Sequence, residues 1–167
     1  EKRKRKIQTK THKNQVETYI TGVIQERKHK LIEISCQPDH LHIFIGWNPD
    51  QSISKLVNEA KTASTKFIKK QSWMPFDFSW QRGFGAFSYS HSQIDGVVKY
   101  LKNQEEHHRK IPFKEEYLNI LKKAEMKYED QYLFDFYENK RSEAFVEQVQ
   151  IDKKMFSWEA MIDALLS

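Results

Sequence analysis

Cysteine, glycine and proline are scarce in this chain of 167 residues, which has one cysteine, five glycines and four prolines. The single cysteine, Cys36, excludes an internal disulfide and is typical of a protein from a reducing compartment such as the cytoplasm. It ends the strand-like run KLIEISC, so we interpret it as a small buried side chain rather than a reactive thiol. No apolar stretch approaches the roughly 20 residues of a transmembrane helix. The sequence therefore predicts one cytoplasmic domain without a membrane partner.

Positive charge exceeds negative charge, because 28 Lys and Arg residues face 23 Asp and Glu residues, for a net charge of +5 and a pI near 9.1. This balance is compatible with a polyanionic partner but does not require one. The first 13 residues, EKRKRKIQTKTHK, predict a basic arm with little apolar periodicity. Such an arm is a solvated segment in the absence of a ligand, and it could also contact phosphates.

Apolar periodicity and turn residues predict a mixed order of helices and strands. Two strand-like runs, 30–36 and 40–47, flank the turn sequence Gln37-Pro38-Asp39 and predict an antiparallel hairpin. We expect Asp50 or Ser52 to cap one helix, and Ser92 with Asp95 to cap another. The other predicted elements are helices over 16 to 27–29, 53–70, 92–110, 113–126 and 145–166, and a short strand over 85–88.

The second strand of the hairpin carries two histidines in the sequence PDHLHIFI. Side chains at positions i and i+2 of a strand project from the same face, so His40 and His42 are expected to point together. Leu41, Ile43 and Ile45 are then expected to face a core on the other side. A pair of strand histidines is weak evidence by itself, because both rings can simply be hydrogen-bonded within the protein.

The predicted helix over 92–110 adds a row of polar groups at the edge of its apolar stripe. Tyr100 lies about 100° around the axis from the buried stripe, Gln104 follows it one turn later, and Gly96 precedes it by one turn. His107 continues the row. Taken alone, the row can be an aromatic residue at the margin of the core beside solvated polar side chains.

The histidine pair and the tyrosine row together specify one chemistry. Two neutral imidazoles and an amide oxygen can hold Mg²⁺ or Mn²⁺ when a phosphate completes the coordination. Such an ion polarises a phosphodiester, and a tyrosine phenol can attack it to form a covalent phosphotyrosine. No Walker-type nucleotide loop is present, which agrees with strand rejoining without ATP.

Candidate DNA contacts follow from basic residues near apolar and aromatic ones. One helix face carries Lys61, Lys66, Lys69 and Lys70, which are either solubilising charges or a DNA-facing surface. Arg82 lies among the aromatic residues of WQRGFGAFSYS and could pair a phosphate with stacked bases. A buried aromatic cluster with one surface arginine explains the same residues equally well.

Three segments, PDHLHIFI, WQRGFGAFSYS and VVKYLKNQEEHHRK, occur in this order and resemble the single-tyrosine HUH transposases of bacterial single-strand insertion sequences. That group includes the REP-associated tyrosine transposases. The resemblance runs from about residue 13 to 137 and places the transposase domain at residues 1–139. It implies an α+β, ferredoxin-like antiparallel sheet with helices on one face.

The resemblance also implies a function and a set of site residues. His40 and His42 would be the HUH ligands of Mg²⁺ or Mn²⁺, and Gln104 would be the third ligand. Tyr100 would attack single-stranded DNA beside a hairpin, keep the 5′ phosphate and release a 3′ hydroxyl. Members of the group act as homodimers, and the tyrosine helix of one subunit often completes the site of the other. A bacterial cytoplasmic location follows from the same resemblance.

Two departures from that family are visible. The β-strand that normally precedes the segment matching KIQTKTHKNQVETYI is missing, which would expose an inner sheet edge. Three explanations are open: the sequence begins late, as Glu1 in place of Met suggests, or another segment or subunit fills the gap, or the gene is decaying. The tail over 140–167 has no counterpart and is expected to be a C-terminal helical extension, although its apolar residues could instead cover that edge or join a dimer interface.

Two other functions compete with the transposase. A catalytically silent protein that binds a DNA hairpin through its basic surface would carry the same charges. A zinc-stabilised structural module would need a closed fourth ligand, and His91, His107 or His108 could supply one only by an accident of folding.

Overall fold

The computed structural model describes residues 10–73, 77–128 and 133, together with the backbone of residues 162–166. These ranges contain five α-helices and four strands, together with a single 3-10 turn at His91–Gln93 that leads into the third α-helix. In chain order they are α1 (Lys10–Glu26), β1 (Lys30–Cys36), β2 (Leu41–Gly46), α2 (Ile53–Lys70), β3 (Gly85–Ser88), α3 (Ile94–Lys102), the single turn α4 (Gln104–His107), α5 (Phe113–Lys123) and β4 (Ile162–Leu166). None of the helices in these ranges has both the length and the apolarity needed to cross a membrane.

The predicted hairpin is confirmed. Strands β1 and β2 pair antiparallel, with Cys36 opposite Leu41 and Ser35 opposite His42. The turn between them is closed by the Gln37 N–H, which donates to the His40 carbonyl over 2.8 Å. The Pro-Asp turn in the sequence therefore sets the register that places the histidines.

The sheet has the order β1-β2-β4-β3, and β4 pairs antiparallel with both of its neighbours. The central position next to β2 is thus filled by residues from the end of the sequence. The expected gap beside the histidine strand is closed by another segment, which was one of the three explanations left open. The predicted helix over 145–166 is wrong for residues 162–166, because their backbone pairs in a ladder. Residues 134–161, which hold most of the expected helical extension, lie outside the described residues.

The two faces of β2 pack against different helices. Leu41, Ile43 and Ile45 are buried in one core with residues from α1 and α2. On the other face Phe44 packs against Val97 and Leu101 of α3. The α+β, ferredoxin-like fold predicted from the resemblance is confirmed, and α3 adds a second helical layer to the one expected.

Three helix boundaries differ from the sequence prediction. Helix α1 begins at Lys10, so the last four residues of the predicted basic arm are helical, and residues 1–9 lie outside the described part of the chain. The capping box before α3 is formed by Ser90 and Gln93, not by Ser92 and Asp95. The predicted helix over 92–110 is interrupted at Asn103, where the backbone leaves helical geometry.

Candidate metal centre and tyrosine helix

Both predicted metal-ligand histidines are buried on the α3 side of β2. His40 is 1% exposed and His42 is fully buried, and their ring centroids lie 5.1 Å apart. His42 is held in the middle of the sheet, because its backbone pairs with Ser35 on one side and Leu165 on the other. The prediction that the two rings share a face is confirmed.

Hydrogen bonds around the site determine which ring nitrogens carry protons. The Nδ1–H of His40 donates to the Asp39 carboxylate over 2.9 Å. The Nδ1–H of His108 donates to the Ile111 carbonyl over 3.1 Å. In a neutral imidazole the other nitrogen is then an acceptor. The Nε2 atoms of His40 and His108 therefore present lone pairs, and these atoms are 3.0 Å apart.

Glu116 brings a carboxylate to the same point from α5. One of its oxygens is 3.0 Å from His108 Nε2, and the other is 3.8 Å from His42 Nε2. His40, His42, His108 and Glu116 each offer one ligand atom, and these four atoms lie within 4.8 Å of one another. Converging imidazole nitrogens and a carboxylate oxygen are a donor set for a divalent cation.

Two of these four residues are not predicted as ligands from the sequence. His108 is expected to reach a metal only by an accident of folding, and no sequence pattern assigns a role to Glu116. A signal for Glu116 exists, since it falls within the apolar stripe of α5 and is 4% exposed beside Phe113 and Tyr117. Charged residues rarely sit on a buried helix face unless they are paired or bind a metal.

Gln104 is also fully buried at this centre. Its Nε2–H donates to the Glu116 carboxylate over 3.1 Å, which fixes the orientation of the amide. Among the described residues its side-chain oxygen has no hydrogen-bond donor. A buried amide oxygen without a donor is costly in a protein interior but suits a divalent cation. The residues present therefore fit the metal ion that the sequence resemblance implies.

Tyr100 lies beside the histidines within the same chain. Its ring is half-buried at the edge of the α3 layer, 6.3 Å from the His42 ring and 5.3 Å from the His107 ring, measured between centroids. Part of the row of polar groups predicted on one helix is kept across the break at Asn103, since His107 of α4 still lies against the Tyr100 ring. The structure thus brings together Tyr100, both histidines and Gln104.

Burial keeps the imidazoles of His40 and His108 neutral near pH 7. Desolvation lowers the pKa of His40 to about 3, despite the opposing hydrogen bond with Asp39. Desolvation also lowers the pKa of His108 to about 4, against the effect of its hydrogen bond with Ile111. Neutral imidazole is the form that binds metal ions, so these rings do not require deprotonation before they coordinate one.

The residues predicted to contact DNA lie away from this centre. Lys61, Lys66, Lys69 and Lys70 belong to α2, which packs on the opposite face of the sheet from the histidines. Lys66 and Lys70 are exposed, and Lys69 is paired with Asp77 over 2.8 Å.

Lys61 has a different role from the other three lysines. Its ammonium group donates to the Gln81 carbonyl over 2.8 Å and to the Gly83 carbonyl, and burial lowers its pKa to about 8. The exposed Arg82 lies between these two anchored residues. Gly83 has a φ of 83°, a left-handed conformation that favours glycine. Lys61 therefore holds the loop that presents Arg82.

Replacing Lys61 by methionine is expected to lower the free energy of unfolding by about 1–2 kcal/mol, because two carbonyls lose a charged donor. Lys66→Met on the exposed side of α2 is the matched control and should change it by less than about 0.5 kcal/mol. Urea unfolding of both variants measures the difference. Equal stability of the two variants would show that Lys61 does not anchor the loop.

Comparison with known families agrees with the geometry of the site. The family model described as transposase IS200 like matches residues 1–104. No curated protein and no solved structure gives a significant match. The matched segment covers more than half of the chain and contains His40, His42, Tyr100 and Gln104. The chain therefore belongs to the IS200-like transposase family, whose role in DNA transposition makes DNA its partner.

Proposed function

We propose that this chain is a divalent-metal-dependent transposase that cuts and rejoins single-stranded DNA beside a hairpin. Tyr100 would be the nucleophile, and His40, His42 and Gln104 would bind Mg²⁺ or Mn²⁺. The observation that carries this proposal is the position of the Tyr100 ring, 6.3 Å from the His42 ring in the same chain. A phenol beside a set of metal ligands is an arrangement that supports metal-assisted phosphoryl transfer to a tyrosine.

The proposed reaction conserves phosphate ester bonds. The Tyr100 oxygen attacks phosphorus as the phenol loses its proton, and the bond from phosphorus to the 3′ oxygen breaks. The 5′ phosphate stays on Tyr100, and the departing 3′ oxygen takes up a proton. A second 3′ hydroxyl then attacks the phosphotyrosine and releases the phenol. Because one ester bond replaces another, no ATP is needed.

The residues of the chain prepare this exchange in distinct ways. A bound divalent ion would polarise the phosphodiester and offset the negative charge that develops on its oxygens. The Asp39 carboxylate holds the His40 ring with Nε2 directed at the centre. The Gln104 oxygen is directed by the hydrogen bond from its amide nitrogen to Glu116. Fixed ligands of this kind limit the reorganisation that the reaction would otherwise require.

DNA binding is proposed to involve a different surface. The exposed lysines of α2 and Arg82 lie outside the buried metal centre and can neutralise phosphates of a hairpin. A homodimer is part of the proposal, although the position of Tyr100 lets each chain complete its own site. The missing family strand is weaker evidence for the silent hairpin-binding alternative, because β4 occupies the position next to β2.

The proposal is tested with a labelled single-stranded hairpin oligonucleotide, the purified chain and Mn²⁺. We expect a covalent protein–DNA adduct that survives denaturing electrophoresis and disappears when EDTA is added. A matched oligonucleotide without the hairpin should give little adduct. If the hairpin binds in the presence of Mn²⁺ but no adduct forms, the result would support the silent hairpin-binding alternative instead.

Replacing His40 by alanine is expected to abolish adduct formation but to change hairpin affinity by less than about threefold, because phosphate contacts dominate binding to DNA. Circular dichroism checks that the variant is folded, and a gel shift measures its affinity. Equal loss of affinity and cleavage in a folded variant would contradict the separation of the two surfaces.

A further inference from the structure

We infer that His108 and Glu116 complete a cation site with His40 and His42, so that the DNA-free chain binds a divalent transition-metal ion through four of its own side chains. The inference rests on the proposed function, because it concerns the same metal centre and assigns its ligands in the DNA-free chain, where His108 and Glu116 take the place of Gln104. It adds two residues that follow the matched family segment, which ends at residue 104.

The spacing of the donor atoms suits a single ion. In a tetrahedral site with bonds of about 2.0–2.1 Å, neighbouring ligand atoms are about 3.3 Å apart. The Nε2 atom of His108 is 3.0 Å from His40 Nε2 and 3.0 Å from a Glu116 oxygen. The other Glu116 oxygen is 3.8 Å from His42 Nε2. These three separations are within about half an ångström of that value. All four ligand atoms lie within 4.8 Å of one another, so side-chain rotation on ion binding would bring the more widely spaced atoms to ligand distance.

The proton positions also favour a cation at this point. The Nδ1 atoms of His40 and His108 donate to Asp39 and to the Ile111 carbonyl. Both rings therefore direct lone pairs, not N–H groups, at each other across 3.0 Å. Lone pairs at this distance repel each other, and the nearby carboxylate adds further negative charge. A divalent ion between them converts this repulsion into bonding.

The donor types select a class of ion. Three imidazole nitrogens and one carboxylate favour Zn²⁺, Co²⁺ or Mn²⁺, whereas Mg²⁺ prefers an octahedral shell of oxygens and water. Asp39 and Ile111 act as the outer hydrogen-bond partners that ligating histidines usually have. Glu116 would serve twice, as a ligand and as the acceptor that orients the Gln104 amide.

The test measures metal binding without DNA. The full chain, stripped with EDTA and dialysed, is titrated calorimetrically with Zn²⁺, Co²⁺, Mn²⁺ and Mg²⁺. We expect one site per chain and an affinity for Zn²⁺ at least about tenfold higher than for Mg²⁺. His108→Ala and Glu116→Gln should each lower the Zn²⁺ affinity by at least about tenfold. Unchanged affinity in both variants, or no binding to the parent chain, would overturn the inference.

Two matched controls come from exposed positions outside the four-residue cluster. His91→Ala removes an exposed histidine and Glu115→Gln neutralises an exposed glutamate next to Glu116, so both should bind Zn²⁺ like the parent chain. The parent chain loaded with Co²⁺ gives a readout that does not depend on the folding of any variant. Strong visible absorption typical of four-coordinate Co²⁺ is expected, and the weak spectrum of a six-coordinate ion would contradict a closed site.

These measurements separate the inference from the proposed function. Tight binding that depends on His108 and Glu116, without any DNA adduct, would leave the four-residue site standing and refute the transposase chemistry. If the chain forms the DNA adduct but its metal affinity is unchanged by His108→Ala and Glu116→Gln, the transposase chemistry stands and the four-residue site is refuted.

Discussion

Replacement of Tyr100 by phenylalanine is expected to eliminate the covalent DNA adduct and to lower strand cleavage by about 10⁴-fold or more. The physical reason is that phenylalanine keeps the ring but has no oxygen to attack phosphorus. The ring packs at the edge of the cluster formed by Phe44, Val97 and Leu101, and that packing is retained. Fold and hairpin affinity should therefore be close to those of the parent chain.

The measurement is single-turnover cleavage of the hairpin oligonucleotide with Mn²⁺, together with detection of the adduct. Tyr19→Phe is the matched control, because Tyr19 is 37% exposed on α1 and stacks on Phe67 far from the histidines. It should retain full activity. Persistence of the adduct in the Tyr100 variant would assign the nucleophile to another residue.

Replacement of Ala164 by proline is expected to lower the free energy of unfolding by about 2–4 kcal/mol. Ala164 lies in the middle of β4, opposite Ile43 of β2 and Ala86 of β3. Proline lacks the backbone N–H and is confined to edge strands or bulges in sheets, so it should disrupt a strand that pairs on both sides. Since domains of this size are stable by about 5–15 kcal/mol, the loss is a large fraction of the total.

Urea unfolding and hydrogen exchange of the β2 amides measure this effect, and Ala164→Ser, which keeps the N–H, is the control. We also expect weaker metal binding in the proline variant, because His42 is paired with Leu165 of the same strand. Identical unfolding of the two variants would show that β4 is not part of the cooperative fold.

Local patterns in the sequence predicted the hairpin and the core face of β2 correctly. Alternation places His40 and His42 on one side of β2 and Leu41 and Ile43 on the other, and this holds wherever a strand forms. The four-residue spacing of Tyr100 and Gln104 predicts that both approach the same site, and both do lie near His42 even though α3 ends between them.

Contacts between residues far apart in the sequence could not be predicted from such local patterns. The sequence could not show that His108 approaches His40, because 68 residues separate them and no periodicity links a turn after α4 to a strand. The sequence predicts a helix through residues 162–166, because a short apolar run fits both the helical and the strand period and only its pairing partners decide between them.

The amino-acid sequence by itself determined the charge balance, the paired imidazoles, the tyrosine helix and the family resemblance, because each depends on residues close together in the chain. Tertiary structure alone decided that residues 162–166 close the sheet and that His108 and Glu116 join the metal centre. Both outcomes depend on non-local contacts, whose geometry is set by packing of the whole domain rather than by any local pattern.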